Sequence, residues 1–420
     1  MLIELRVQNY RSIKEEQRLS LVAATDKTHA AGHLIATKNR TLPHLVKSAV
    51  LYGANASGKS NLINALIFMR ALVAESATVI QLGQTFNLQP FRLDTKTITE
   101  PSEFEITFFE EDIRYQYGFK LTAERIHEEW LLVYKTSKPQ HWFARRYDKE
   151  TDGDVYEFGS HLTGQRKLWQ ESTRPNALFL STAVHLNSEQ LRPVFNWMVN
   201  KLVSFTAGTH PISGYSIAML QNNEKKRDIE AFMISADISI TNIEVISRKG
   251  CSQLYQFDLD SGKASNLQNV ESDALFPQFH HKTKNGSAIF ELQDESLGTQ
   301  RLFCLAGPVL DILNQGKVLI VDELDSSLHP LLVKRLIGIF HDPKLNTQGA
   351  QLVFTTHDTS LLDKTIFRRD QIWFIEKDRN QASTLYPLSD FSPRKHEALE
   401  SGYLMGRYGA IPFFHDLEAE

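Results

Sequence analysis

Gly53-Ala54-Asn55-Ala56-Ser57-Gly58-Lys59-Ser60 is the stretch that decides how the rest of the chain is read. It satisfies every fixed position of G-x-x-x-x-G-K-[ST], a loop whose backbone N–H groups surround phosphate oxygens. Gly53 and Gly58 allow the tight turn this requires. Lys59 is placed to reach β- and γ-phosphates, and the Ser60 hydroxyl to meet Mg²⁺. Upstream, Lys47 to Tyr52 is a short apolar strand. Downstream, Leu62, Ile63, Leu66, Met69 and Leu72 recur at helical spacing, so a helix over 59–74 turns its positive end toward the anion. Strand, loop and helix thus come in the order the motif needs. The segment through Asn61 is expected to contact nucleotide, with ATP and Mg²⁺ as the ligand pair.

The next signal lies far along the chain. Val318-Leu319-Ile320-Val321-Asp322-Glu323 is an apolar run ending in two acids. An all-apolar strand suits the centre of a parallel sheet. Acids at its C-terminal end project into the crevice where such sheets bind ligands. Asp322 is the expected partner of Mg²⁺, directly or through water. Glu323 is placed to orient or deprotonate an attacking water.

Further motifs make the arrangement recognisable. Glu295-Ser296-Leu297-Gly298-Thr299-Gln300 precedes the acidic strand by one helix length and resembles the signature motif of ABC ATPases. The variant is that of the OLD, RecF and abortive-infection branch. Leu324-Asp325-Ser326-Ser327-Leu328-His329-Pro330 resembles the D-loop of that branch, and Thr355-Thr356-His357-Asp358 its switch histidine. Asn9-Tyr10-Arg11-Ser12-Ile13 resembles the opening of RecF- and SMC-type heads. Residues 371–377 and 406–412 resemble small bacterial ATPases of the AbiL/RloA abortive-infection type.

The resemblance implies an ABC-type head in which Ser296, Gly298 and Thr299 hold the γ-phosphate bound by a second copy. ATP would then join a homodimer or a higher homo-oligomer. It also implies that His357 acts at the γ-phosphate, that Arg11 contacts nucleotide and that Gln89 contacts Mg²⁺. From chemistry alone, Ser296 with small neighbours at a helix start is either an anion site or an ordinary cap.

Between these motifs, Leu2 to Val22 reads as two strands around a turn. Residues 86–156 mostly alternate, with 104–108 and 115–119 as antiparallel neighbours. Residues 187–203 and 224–234 read as helices flanking a break at 208–214, and 240–292 returns to strands. The last third alternates helix and strand, as a mainly parallel sheet does. The fold class expected is α/β: an ABC-type P-loop head with an antiparallel β subdomain and an inserted, partly helical arm or lid. The head comprises 1–170 and 285–420, and the arm 171–284. No sustained heptads argue for a long coiled coil.

Bulk numbers exclude other classes. The chain has 420 residues, 42% apolar and 23% charged, with net charge −4, which is ordinary for a globular protein. Two cysteines, Cys251 and Cys304, lack metal-ligand spacing and fit a cytoplasmic setting. No apolar run approaches a membrane span. His280 and His281, adjacent on a strand, face opposite ways and do not suit one metal. Arg145-Arg146 and the 224–227 charge run read as solvated faces.

Three functions compete. The first is an ATPase switch or scaffold in bacterial anti-phage (abortive infection) defence. OLD-type relatives carry a nuclease domain after the core. If the protein acts in defence, the short stretch after the ATPase core leads to the expectation that the killing chemistry sits on a separate effector, a nuclease or toxin. The second is a RecF/SMC-like repair or recombination clamp, with DNA as partner. The third, a transporter subunit, is disfavoured by the long, strand-rich stretch from Ser60 to Ser296.

Overall fold

The computed structural model describes the chain outside residues 206–213, 237–238, 258–263, 392–397 and 413–420. At 250–257 and 264–273 it describes the backbone alone. The chain divides into two compact units. One comprises Met1–Ala207, Ile312–Ser326 and Val333–Glu420, the other Gly208–Asp311 and Ser327–Leu332.

The first unit holds a six-stranded sheet in the order Leu202–Phe205, Val318–Val321, Gln351–Thr355, Ser48–Tyr52, Ile372–Lys377, Ser383–Pro387. The first five strands run parallel and the last antiparallel. The three central strands are buried along their whole length, which explains their near-continuous apolar sequence. A seven-stranded antiparallel sheet accompanies it, in the order Gly153–Phe158, Gln140–Asp148, Ile126–Tyr134, Ile113–Leu121, Ser102–Glu110, Leu2–Gln8, Gln17–Ser20. Helix Lys59–Glu75 buries Leu62, Ile63, Ala65, Leu66, Met69, Leu72 and Val73 in one core shared with residues of both sheets. These include the five apolar positions that predict the helix.

Two expectations are corrected here. A single helix over 187–203 does not form. Asn187 adopts φ 66° and ends helix Phe179–His185; a short helix, Arg192–Asn196, then begins with Pro193 in its first turn. Leu202–Phe205 is extended because it pairs in parallel with the acidic strand, Val203 opposite Leu319. Arg145 is not solvated either. It is 1% exposed, and its guanidinium donates to Asp154 Oδ2 at 2.7 Å and to the Ala177 carbonyl at 2.6 Å. Arg146, its neighbour, points the other way and is exposed, as strand alternation requires. Beside Arg145 sits Glu129, fully buried, whose carboxylate accepts the Phe179 and Leu180 amides at 2.6 and 2.9 Å. Leu178, at the N-cap position of Phe179–His185, has no capping side chain, so a strand acid serves in its place.

The second unit is built on the antiparallel pair Ile240–Phe257 and Ala264–Thr283, extended by Gly286–Glu291. Helices Gly214–Leu220 and Asn223–Ile234 and the start of helix Leu297–Gln315 complete it. Asn222 caps the second of these, accepting from the Glu224 and Lys225 amides. Pro308 lies inside Leu297–Gln315 and supplies no N–H to the carbonyl one turn back. The Ser216 hydroxyl bridges the preceding helical pair: it donates to the Phe303 carbonyl at 2.7 Å and accepts from the Gly307 amide at 3.1 Å. A Cβ at Gly307 would come within 2.8 Å of that hydroxyl, so glycine permits the approach. The expected break at 208–214 lies almost wholly outside the described residues.

Candidate nucleotide-binding site

The central strands of the parallel sheet end in register. Val50 lies opposite Phe354, and Phe354 opposite Val321. Gly53, Asp322-Glu323 and Thr356-His357 therefore leave the sheet along one edge, the carboxyl edge where such sheets hold ligands. A cavity of about 560 Å³ lies there, lined by residues 55–61 together with Glu323, His357 and Lys377.

The loop has the backbone its sequence calls for. Ala56 and Gly58 have φ 61° and 111°. A Cβ on Gly58 would collide with the Ser383 and Ser12 hydroxyls, and one on Gly53 with the Ile375 carbonyl. Glycine is needed at both positions for close approach. Gly58 stands at the N-cap of Lys59–Glu75 and brings no side chain, leaving the helix start to an anion. The Ser57 hydroxyl is buried without a partner among the described residues. Lys59 Nζ donates to the Gly53 and Ala54 carbonyls at 2.8 and 3.1 Å. Burial lowers its pKa to about 8, against the opposing pull of Asp322, Glu323 and Asp325. Gathered glycines, a buried ammonium and an open cavity together fit a polyphosphate.

Behind the loop runs a chain of hydrogen bonds. Asn61 Nδ2 donates to Ser12 Oγ at 2.7 Å, the Ser12 and Ser383 hydroxyls are 2.7 Å apart, and Ser383 Oγ donates to the Ser57 carbonyl at 2.6 Å. The Ser383 amide also donates to the Ser12 carbonyl at 2.7 Å. Ser12 stands in a turn entered by Asn9 and Arg11 at φ 51° and 52°.

The acids are held from the neighbouring strand. Thr355 Oγ1 donates to Asp322 Oδ1 at 2.6 Å, and the Glu323 amide donates to the same hydroxyl at 2.7 Å. The Asp322 amide donates to the Phe205 carbonyl at 2.9 Å. His357 lines the cavity with an exposed ring, and its amide donates to Asp325 Oδ2 at 3.2 Å. Ser60 and Asp322 offer only oxygen donors, which suits Mg²⁺.

Arg11 and Gln89, both expected ligands, are not among the residues that line the cavity. Arg11 Nη1 donates to Asn61 Oδ1 at 3.4 Å, and its amide donates to the Gln89 carbonyl at 2.7 Å. Gln89 itself is exposed. Three residues escape the sequence reading. Lys377 ends the 371–377 segment with no role of its own there, Ser383 belongs to a strand with no motif, and Thr355 opens the switch-histidine motif without a role assigned to it. A signal for Lys377 exists: it ends the strand beside the P-loop strand, where side chains reach the same edge.

In the second unit, Ser296 Oγ accepts the Thr299 amide at 3.1 Å, so it caps helix Leu297–Gln315. Ser296 is exposed, and Leu297 beside it is 71% exposed. Gly298 packs near the Ser327 carbonyl, which a Cβ would approach to 3.0 Å. His280 and His281 take separate partners, Glu244 at 3.4 Å and Glu295 at 2.7 Å. Among the described residues no group of three or more His, Cys, Asp or Glu could hold a metal ion, and no helix is long and apolar enough to cross a membrane.

No curated protein matches the chain. Among solved structures, one similar chain is the SMC head bound to the C-winged helix domain of ScpA. It is 13% identical, with 92% of this chain and 97% of that chain covered and a TM-score of 0.42. One family model matches residues 48–363, from the first residue of the P-loop strand to beyond His357. The fold is a P-loop ATPase domain of the α/β class, with an antiparallel β subdomain and an inserted, partly helical unit. An ATPase domain of this kind uses nucleotide together with Mg²⁺. With well over half its length matched, the chain belongs to the family described as "AAA domain, putative AbiEii toxin, Type IV TA system".

Proposed function

We propose that the protein is an ATP-hydrolysing switch that dimerises through ATP and controls a separate effector in bacterial anti-phage defence, in the manner of AbiL/RloA-type ATPases. The observation that carries the ATPase reading is the single cavity lined by residues 55–61, Glu323 and His357. Polyphosphate-binding backbone, a water-directed carboxylate and a γ-phosphate-directed histidine meet there.

In this reading, residues 53–61 bind the phosphates through backbone N–H groups, and Lys59 supplies the main counter-charge. Ser60 and Asp322 hold Mg²⁺, which neutralises charge on the β- and γ-oxygens. Glu323 orients the attacking water and accepts its proton. His357 supports the γ-phosphate. Ser296, Gly298 and Thr299 serve the phosphate bound by a second copy; Ser296 is exposed and the other two half-buried. Arg11 acts through Asn61, and Gln89 is the weakest member of the metal set because its side chain is exposed and only its carbonyl is engaged, by the Arg11 amide. Residues 171–284 are proposed to carry partner specificity, since none of the head's phosphate or acid motifs falls among them.

Glu323→Gln keeps the shape of the side chain and removes the proton-accepting oxygen. It is expected to bind ATP and accumulate an ATP-held dimer while phosphate release falls at least about 100-fold. Phosphate release and solution mass with Mg-ATP are the measurements. Undiminished turnover would move the base elsewhere, and a protein that stays monomeric with bound ATP would remove the dimer.

A further inference from the structure

Glu323 has φ 53°, the left-handed region that a residue with a Cβ enters only when its surroundings hold it there. What holds it is Thr355. This residue ends strand Gln351–Thr355 and is wholly buried. Its hydroxyl donates to Asp322 Oδ1 at 2.6 Å and accepts from the Glu323 amide at 2.7 Å; its carbonyl accepts from the Leu324 amide at 3.0 Å. One residue of the neighbouring strand therefore fixes three consecutive residues of the turn that carries the acids.

The choice of side chain matters. A hydroxyl can give a proton to the carboxylate and receive one from the amide at once, which Val cannot. Branching at Cβ restricts Thr to few χ1 positions, so the aim of the hydroxyl follows from the strand itself. Backbone φ at Glu323 sets the direction of its Cα–Cβ bond, and Glu323 lines the cavity.

We propose that Thr355 is a positioning residue for ATP hydrolysis: its hydroxyl sets the Asp322 carboxylate and the left-handed Glu323 backbone in one fixed relation. The inference rests on the roles assigned to Asp322 and Glu323 above. It also gives the strand a second duty. His357 follows Thr355 by two residues, so a shift of this strand moves the histidine and both acids together.

The test compares Thr355→Val, which keeps the shape, with Thr355→Ser, which keeps the hydroxyl. Three readouts are taken: Mn²⁺ affinity of the ATP-bound protein by titration, kcat and KM for ATP, and the melting temperature without nucleotide. Thr355→Val is expected to lower Mn²⁺ affinity and kcat each by roughly tenfold or more, with KM for ATP little changed. Thr355→Ser is expected to restore both. Should Thr355→Val not fold, Thr355→Ala carries the same expectation, because it too lacks the hydroxyl. Wild-type Mn²⁺ affinity and kcat in Thr355→Val would overturn the inference while leaving the ATPase reading intact. Equal losses in Thr355→Val and Thr355→Ser would also overturn it, by pointing to packing. A wild-type protein that neither binds nor hydrolyses ATP would remove the underlying reading and the inference with it.

Discussion

The hydrogen-bonded chain behind the P-loop can be cut at a point remote from the phosphates. Ser383 has one proton and gives it to the Ser57 carbonyl, so the bond between the two hydroxyls must be donated by Ser12. Ser12 in turn accepts from Asn61. The relay runs one way, from the helix through the N-terminal turn and the strand Ser383–Pro387 to the loop. Ser383→Ala removes the middle link. It leaves the Ser57 carbonyl without its donor and Ser12 without its acceptor, in a place where Ser383 is 2% exposed. Leaving buried groups unpaired costs about 1–3 kcal/mol. If the relay shapes the loop, a cost of about 1–2 kcal/mol appears in binding as nucleotide affinity roughly 5–30-fold weaker. The assay is ATP affinity by calorimetry, with Ser20→Ala as a remote single-hydroxyl control. Ser12→Ala should reproduce the loss, and the double variant should lose less than the sum, because both cut one chain. Wild-type affinity in both single variants would refute the reasoning.

Two further outcomes follow from other parts of the molecule. His33 and His341 stack at 3.8 Å, with His29 beside them, against Gln371, Ser48 and Lys47. Burial holds His341 well below the usual histidine pKa and, more mildly, His33. The unfolded chain then binds protons first, so this stability is complete above about pH 6.5 and is lost as pH falls toward the lowered values, at about 1.4 kcal/mol per pH unit for His341. The denaturant midpoint should fall less between pH 7.5 and pH 5.5 in His341→Gln than in wild type; an equal fall would refute this. Ser296→Arg should keep ATP binding and lose turnover, and mixing it with Lys59→Ala subunits should return part of the phosphate release. Full turnover by Ser296→Arg alone would refute the shared site.

Much of the head is legible in the sequence because its signals are local. The P-loop needs two glycines, a lysine and a serine at fixed spacing, and the helix after it needs only a repeating apolar face. The acidic strand announces itself by having no polar residue before Asp322. What escapes is what depends on register between distant strands. Thr355 and Ser383 act through partners in sequence segments far from their own; Thr355 stands in a motif that points to His357 rather than to its own hydroxyl, and no motif surrounds Ser383. Arg145 and Arg146 look alike as a pair, yet only pairing in the sheet decides which one is buried. The 187–203 segment has helical composition throughout, and its last residues become a strand because Val318–Val321 offers an edge.

The order of the parallel sheet also bears on how the protein is made. Ser48–Tyr52 lies between Gln351–Thr355 and Ile372–Lys377, so both of its neighbours leave the ribosome about 300 residues after it does. At synthesis rates of 5–20 residues per second, that is a wait of roughly 15–60 s. Throughout it, a strand that is fully buried in the folded head has neither hydrogen-bonding edge satisfied. The antiparallel sheet differs, because all seven of its strands lie within the first 158 residues and can pair early. The nascent chain should therefore carry a folded antiparallel platform beside an unpartnered P-loop strand. That makes the nucleotide site the last part of the head to form, and the part most dependent on chaperones during translation.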